Sequence, residues 1–239
     1  MRGVLGRQFT FKSGERFRWT DIVIGICFMI SLLAVGLYIA VNFRALYYLN
    51  ISWNDLPTAS GYNAVVIREN YDALIDYCCP FFTDALVFPS IPSSASAISH
   101  FAEVKNIFNI IYVAGAVGLV ASVTMFIMRH REGSFLYLRT CAICAAVLPV
   151  FVSLFSLISF DTLFLVFHKL MFNNDDWIFD PNTDPIIDML PESFFAQCAI
   201  LIAVVMLVGA GVAYLFYRRR LRAYRAGQTL SSPKKNYIY

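Results

Sequence analysis

Two histidines set the chemical possibilities of this chain. His100 opens HFAEVKNIF (residues 100–108), and His168 lies in FHKLMFNNDDWIFDPNTDPIIDMLPESFF (residues 167–195). Each adjoins an apolar stretch, and histidine is the side chain best suited to trading protons near neutral pH. Taken singly, either is as well read as a hydrogen-bonded structural residue. Two on one side of a chain that has only three histidines point instead to general acid–base work. The third, His130, lies in an RHRE turn and reads as a solvated loop residue. Seven acids fall between Asp161 and Glu192, against the single base Lys169. That excess suits attraction of a cationic group such as a protonated amine.

Other chemistries find less support. Asp180-x-Asn182-x-Asp184 copies the start of an EF-hand loop, but Pro185 occupies the glycine position and Pro191 the bidentate acid position. A zinc site of His100, His168 and Glu103 or an aspartate has no supporting spacing, and H-E-x-x-H is absent from the sequence. On the outer side no G-x-S-x-G, S-x-x-K or catalytic cysteine pattern supplies a conventional nucleophile. Cys141-x-x-Cys144 has a redox spacing, yet it falls in an apolar run where thiols serve as small packing groups. Cys78 and Cys79 are adjacent, which would strain a mutual disulfide. No metal or cofactor is implied.

The elements that position the histidines are membrane helices. Of 239 residues, 59% are hydrophobic, 15% are charged and 22 are phenylalanine. A soluble domain would be about half apolar and a quarter charged. The apolar residues gather into four runs of about 20, the length that crosses a hydrocarbon core. These are 22–41, 107–128, 140–159 and 195–217. No small-residue cleavage site follows the first, so it is expected to be retained as a span. Bulky Ile26 before Cys27 rules out a lipobox. Fifteen of the 19 basic residues fall on one side of this layout, and 13 of the 16 acids on the other. The positive-inside rule then makes both termini cytoplasmic. Loops 43–106 and 160–194 lie outside, and a basic tail, 218–239, lies inside. The tail's arginines anchor topology and touch anionic lipid, and no nucleic-acid role is expected. The whole is a single all-α integral membrane domain with two structured outer loops.

Within those loops, 63–79 places Val66, Tyr71, Leu74 and Cys78 on one stripe, an amphipathic helix for the membrane surface or for capping the bundle. Helix beginning near Ser93 would run unbroken into the second span and carry His100 about 10 Å beyond Ile107. Pro191 and Glu192 form a favoured start for the fourth helix. Pro149 should kink the third. Gly115, Gly118 and Ser122, like Ser153, Ser156 and Ser159, read as small faces for close helix packing. LFLVFHKLMF is too short to span and is expected at the outer interface. Asp, Asn and Pro make DPNTDP a specified turn, seated by Trp177, Phe172, Phe179, Phe194 and Phe195 at headgroup level.

HFAEVKNIF, ENYDALIDY (69–77) and the long 167–195 stretch together resemble the bacterial lipoprotein intramolecular transacylase (Lit) family, and the four-span layout matches over most of 20–217. The resemblance implies a catalytic pair corresponding to His100 and His168, with Glu103 where the family more often has aspartate. The supporting or substrate-binding residues are then Glu103, Asp176, Trp177, Asp180, Asp184 and Glu192, with Asn70 and Tyr71 from ENYDALIDY. It also implies an acyltransferase of the bacterial plasma membrane, working on its extracytoplasmic side. The substrate would be a diacylated lipoprotein within membrane lipid, and the product a lyso-form lipoprotein. His168, in its carboxylate-rich loop, is expected to accept the amine proton, while His100 serves the leaving oxygen. The alternatives are another lipid-ester acyltransferase or hydrolase at the same pair, or a non-enzymatic membrane assembly or sensing protein.

Overall fold

The computed structural model describes residues 17–80 and 84–231, and every regular element among these is a helix. In chain order they are α1 (Trp19–Asn42), α2 (Arg44–Trp53), α3 (Leu56–Ser60), α4 (Ala64–Cys78), α5 (Ala95–Arg131), α6 (Leu136–Ile158), α7 (Phe160–Met171), α8 (Ile186–Met189) and α9 (Glu192–Ser231). Four of them, α1, α5, α6 and α9, are long and apolar enough to cross a membrane. The basic stretch 1–16 and the end of the basic tail, 232–239, lie outside the described residues.

Small residues let these helices approach one another, the usual solution where lipid supplies no hydrophobic drive between them. Helix α1 packs on α5, α6 and α9, and α6 also packs on α9. Where α1 meets α5, Gly115 and Gly118 leave no space for a side chain. A Cβ on Gly115 would lie 2.2 Å from the Ala34 Cβ, and one on Gly118 would lie 2.8 Å from the Cys27 carbonyl oxygen. Ser122 is buried on the same face, and the Ser31 hydroxyl bridges the seam between the Cys27 and Gly115 carbonyl oxygens at 2.7 and 3.2 Å. The small-face reading of 115, 118 and 122 therefore describes the α1–α5 contact. Pro149 lies inside α6, which continues through it. Cys141 and Cys144 are free thiols, as are Cys78 and Cys79.

The two ends of the bundle differ in charge and in covering. At one end the start of α1 meets the end of α5, where Asp21 accepts from Arg129 Nε at 3.0 Å and Nη2 at 2.8 Å, both residues buried. Glu132 joins this pair to Arg18. His130 belongs to the last turn of α5 rather than to a loop, because the helix runs to Arg131, and it contacts Arg220 of α9. The other end is capped by α2, α3, α4 and α8 around one core. Asn63 caps α4, its side-chain oxygen accepting from the Val65 and Val66 N–H groups. The α4 stripe buries Ile67, Tyr71, Leu74 and Cys78 against that core, so α4 caps the bundle. Tyr47 and Tyr71 stack with ring centroids 3.5 Å apart, Phe194 of α9 meets both edge-on, and the Tyr47 hydroxyl donates to Met189 of α8.

Candidate active site

His100 and His168 come together at the capped end, each delivered by a helix whose start is fixed by a side chain. Ser94 caps α5, its hydroxyl accepting from the Ala97 N–H at 3.1 Å. At 37 residues α5 extends to about 55 Å, well beyond a hydrocarbon core of about 30 Å. His100, in its second turn, therefore stands clear of the apolar run. Ser159 caps α7 through the Thr162 N–H, and His168 sits in that helix's last turn, nearly filled by apolar neighbours. The ring centroids of the two histidines are 5.8 Å apart with planes inclined at 32°. Both residues are buried, at 6% and 8% exposure.

One ring nitrogen has its role fixed by the backbone. His168 Nδ1 lies 2.8 Å from the Phe164 carbonyl oxygen. A carbonyl only accepts, so Nδ1 carries the proton and Nε2 keeps the lone pair of the neutral ring. Burial lowers the His168 pKa from its ordinary 6.5, with the hydrogen bond to Phe164 pulling the other way. The ring is thus a neutral base at neutral pH. His100 Nδ1 is buried with no hydrogen-bond partner.

Aromatic rings wall the pair. Phe172 lies 4.7 Å from the His100 ring and 5.6 Å from His168, Phe179 lies 5.6 Å from His100, and Trp177 lies 5.0 Å from His168. Phe172, Trp177 and Phe179, aromatic residues of the loop, thus line the histidine site. Phe194 is buried in the cap core, and Phe195 packs on Phe164.

Asn174, which no sequence feature singled out, links these parts. Its amide nitrogen donates to Glu103 Oε1 at 2.9 Å, its side-chain oxygen accepts the Asp176 N–H, and its carbonyl accepts from Trp177 Nε1. An Asn-Asn pair after an apolar helix reads simply as a turn, so its side-chain reach was hidden. Glu103 follows His100 by one helical turn on α5, and its Oε2 is buried without a partner. Asp176 lies within electrostatic range of His100.

The remaining acids work further out. Asp184 is buried and accepts the Ser94 N–H at 2.6 Å and the Thr183 hydroxyl at 2.7 Å. Asp180 accepts from the Asn182 N–H and side-chain amide, closing the DPNTDP turn. Glu192, exposed in the first turn of α9, lies close to the Asp161 side chain. Asn70 and Tyr71 lie in the cap: Asn70 bonds Ser90 and the Val66 carbonyl, and Tyr71 stacks on Tyr47 with its hydroxyl buried and unpartnered. No group of three or more His, Cys, Asp or Glu among the described residues is arranged to hold a metal.

The chain has close relatives in fold. Residues 22–195 match the family model described as lipoprotein intramolecular transacylase Lit. The crystallised membrane integral lipoprotein intramolecular transacylase Lit from Bacillus cereus is similar at 32% identity and a TM-score of 0.82, over 86% of this chain and 96% of that one. Two variants of the same protein, with a histidine replaced by arginine or by alanine, give TM-scores of 0.77 at the same 32% identity. They cover 87% and 86% of this chain, and 92% and 94% of theirs. No curated protein matches the chain. Fold and relatives together define a multi-pass integral membrane acyltransferase. Within that class, the chain belongs to the Lit family of lipoprotein intramolecular transacylases.

Proposed function

We propose that this protein moves the sn-2 acyl chain of an S-diacylglyceryl-cysteine lipoprotein onto the α-amine of that same cysteine, leaving a lyso-form lipoprotein. The carrying observation is the facing of two buried imidazoles, 5.8 Å apart, within an aromatic-walled site at the capped end. The distribution of basic residues supports placing that end on the extracytoplasmic side of the bacterial plasma membrane.

Each step has a group suited to it. An α-amine has a pKa of about 7.7–8.0, so much of it is protonated at neutral pH. The half-buried Glu103 carboxylate, with its Oε2 buried and unpartnered, receives the ammonium. His168 Nε2 takes the ammonium's extra proton and passes it to His100, then takes a second proton as the amine nitrogen attacks the ester carbonyl carbon. The N–C bond forms and the ester C–O bond breaks, while the protonated His100 donates to the departing glycerol oxygen. His168 releases its remaining proton to solvent, and both rings are again neutral. Ester becomes amide within one molecule, so no acyl-enzyme is required and the site's main contribution is to fold the substrate into a near-attack arrangement. The aromatic walls exclude the water that would hydrolyse the ester instead.

Mass spectrometry of a lipoprotein's N-terminal peptide, from cells with and without the protein, tests this. N-acylated S-monoacylglyceryl-cysteine should appear only with the protein and vanish with His100→Ala. Release of free fatty acid without N-acylation would identify a hydrolase at the same pair. Unchanged lipoprotein in both strains would leave no enzymatic role for the pair.

A further inference from the structure

After α7 ends at Met171 the acidic loop crosses to α5, and Asn174 makes a polar contact there: its Nδ2 group donates to Glu103 Oε1 at 2.9 Å. The orientation of this amide is settled by its other side. Its Oδ1 accepts the Asp176 N–H at 3.1 Å, so the N–H groups must face the carboxylate. The Asn174 carbonyl accepts from Trp177 Nε1 at 3.0 Å, and the Trp177 ring lies 5.0 Å from His168. Asn173, the preceding residue, is exposed.

A carboxylate held by one hydrogen bond can still turn about its last torsion, which is broad and roughly two-fold. The bond from Asn174 selects one of its orientations, with Oε1 toward the loop and Oε2 buried and unpartnered. It also ties the loop that follows His168 to the helix that carries His100, one helical turn from Glu103. We infer that Asn174 is a positioning residue for the proposed acyl transfer, holding Glu103 so that Oε2 faces the substrate amine. The role rests on the transacylase reading of the histidine pair, and Asn174 itself touches neither amine nor ester.

Asn174→Asp isolates this contact, because the side chain still accepts the Asp176 N–H and the main chain still accepts from Trp177. Its second oxygen then meets Glu103 Oε1, and two carboxylates so placed share one proton, held to a raised apparent pKa. While that proton stays, the introduced O–H donates to Oε1 as the amide did. Once it leaves, the like charges repel and Glu103 turns away. The other titratable groups of the site are His100 on α5, His168 on α7 and Asp176 in the loop. They are the same in both proteins, so a ratio of rates removes their own titration.

The assay follows N-acylated product from a synthetic S-diacylglyceryl-cysteinyl peptide with a free amine, using full-length protein in phosphatidylglycerol vesicles. The kcat ratio of Asn174→Asp to wild type should be close to unity below about pH 6 and fall about tenfold or more by about pH 8. KM should not rise, because the added charge still attracts the ammonium. Asn173→Asp adds the same charge at the exposed neighbour, and its ratio should not change with pH. Asn174→Asp/Glu103→Gln exchanges donor and acceptor, so it should fold as wild type does and yet transfer poorly, since the charge has left Glu103. A ratio for Asn174→Asp that is independent of pH overturns the positioning role and leaves the transacylase reading standing. Wild type without N-acylated product overturns both. Should Asn174→Asp not fold, the exchanged pair decides: folded with depressed transfer supports the role, while transfer at the wild-type level or failure to fold overturns it.

Discussion

Asp184 and Ser94 are joined by a short hydrogen bond, the buried carboxylate accepting the Ser94 N–H at 2.6 Å. Ser94 in turn caps the helix that carries His100. The acidic loop after His168 thus clamps the element bearing the other histidine, and Asp184 acts as a positioning residue. Asp184→Ala leaves a donor unpaired, at a cost of roughly 1–3 kcal/mol. Displacement of the reacting groups by about 1 Å can cost on the order of a hundredfold in rate. The expected outcome is a fall in kcat with KM little changed, at a temperature where the variant remains folded. Asp184→Asn, whose amide oxygen can accept the same N–H, should recover most of the rate. A deficit confined to melting temperature would make the residue merely structural.

Each histidine should be individually indispensable. General acid–base groups contribute about 10²- to 10⁴-fold, so His100→Ala and His168→Ala should each lose that much lyso-lipoprotein formation in a reconstituted assay. The double variant should lose little more than either single one, because the rings act on one proton path. Additive losses in the double variant would show that the rings serve separate steps.

Much of this layout was legible before any coordinates. The apolar runs fix four spans because only helix satisfies the backbone in lipid, and the prolines and Asx residues of DPNTDP encode the turn seen at 180–184. The α4 stripe follows from periodicity, and the start of α5, expected near Ser93, falls at Ala95. The side-chain geometry of the site was not legible. Nothing in the spacing says that Phe172, Trp177 and Phe179 turn onto the imidazoles, since aromatics next to a span have many packing partners. Asn174 and Glu103 meet only through tertiary folding.

The α1–α5 seam admits no larger residue. Gly115→Ala puts a methyl 2.2 Å from the Ala34 Cβ, which forces the helices apart. Overpacking of this kind costs typically about 1–3 kcal/mol. Gly211→Ala, with open space around its Cβ, should be neutral or stabilising by up to about 1 kcal/mol through helix propensity. In the same detergent the unfolding temperature should fall for Gly115→Ala and hold or rise for Gly211→Ala, and a tolerated Gly115→Ala would refute the close approach of these helices.

Burial also sets how the site responds to pH. A histidine whose charged form is disfavoured stays neutral below its ordinary pKa of 6.5. The neutral ring is the base, so kcat at saturating substrate should hold down to a midpoint below 6.5 and then fall as the ring is protonated. NMR titration of imidazole-labelled protein should place His168 at that midpoint. A midpoint above 6.5 would mean that a neighbouring carboxylate outweighs burial and would make His168 the acid of the pair.

Glu103 offers the sharpest test of how the substrate amine is held. Its Oε1 is tied to Asn174 while Oε2 is buried and unpartnered, an arrangement that costs free energy unless something completes it. A substrate ammonium completes it with a charge-assisted hydrogen bond, about twice as strong as a neutral one. Glu103→Gln keeps the bond from Asn174, because the amide oxygen still accepts, but removes the charge. KM should rise by roughly 10- to 100-fold, in line with the 1.5–3 kcal/mol typical of hydrogen bonds to charged groups, with a smaller change in kcat. Glu103→Asp keeps the charge but withdraws it from Asn174, so it should lower kcat by misplacing the amine. If Gln changed neither parameter, the ammonium would have to be received elsewhere, and Asp176, within electrostatic range of His100, would be the carboxylate to replace next.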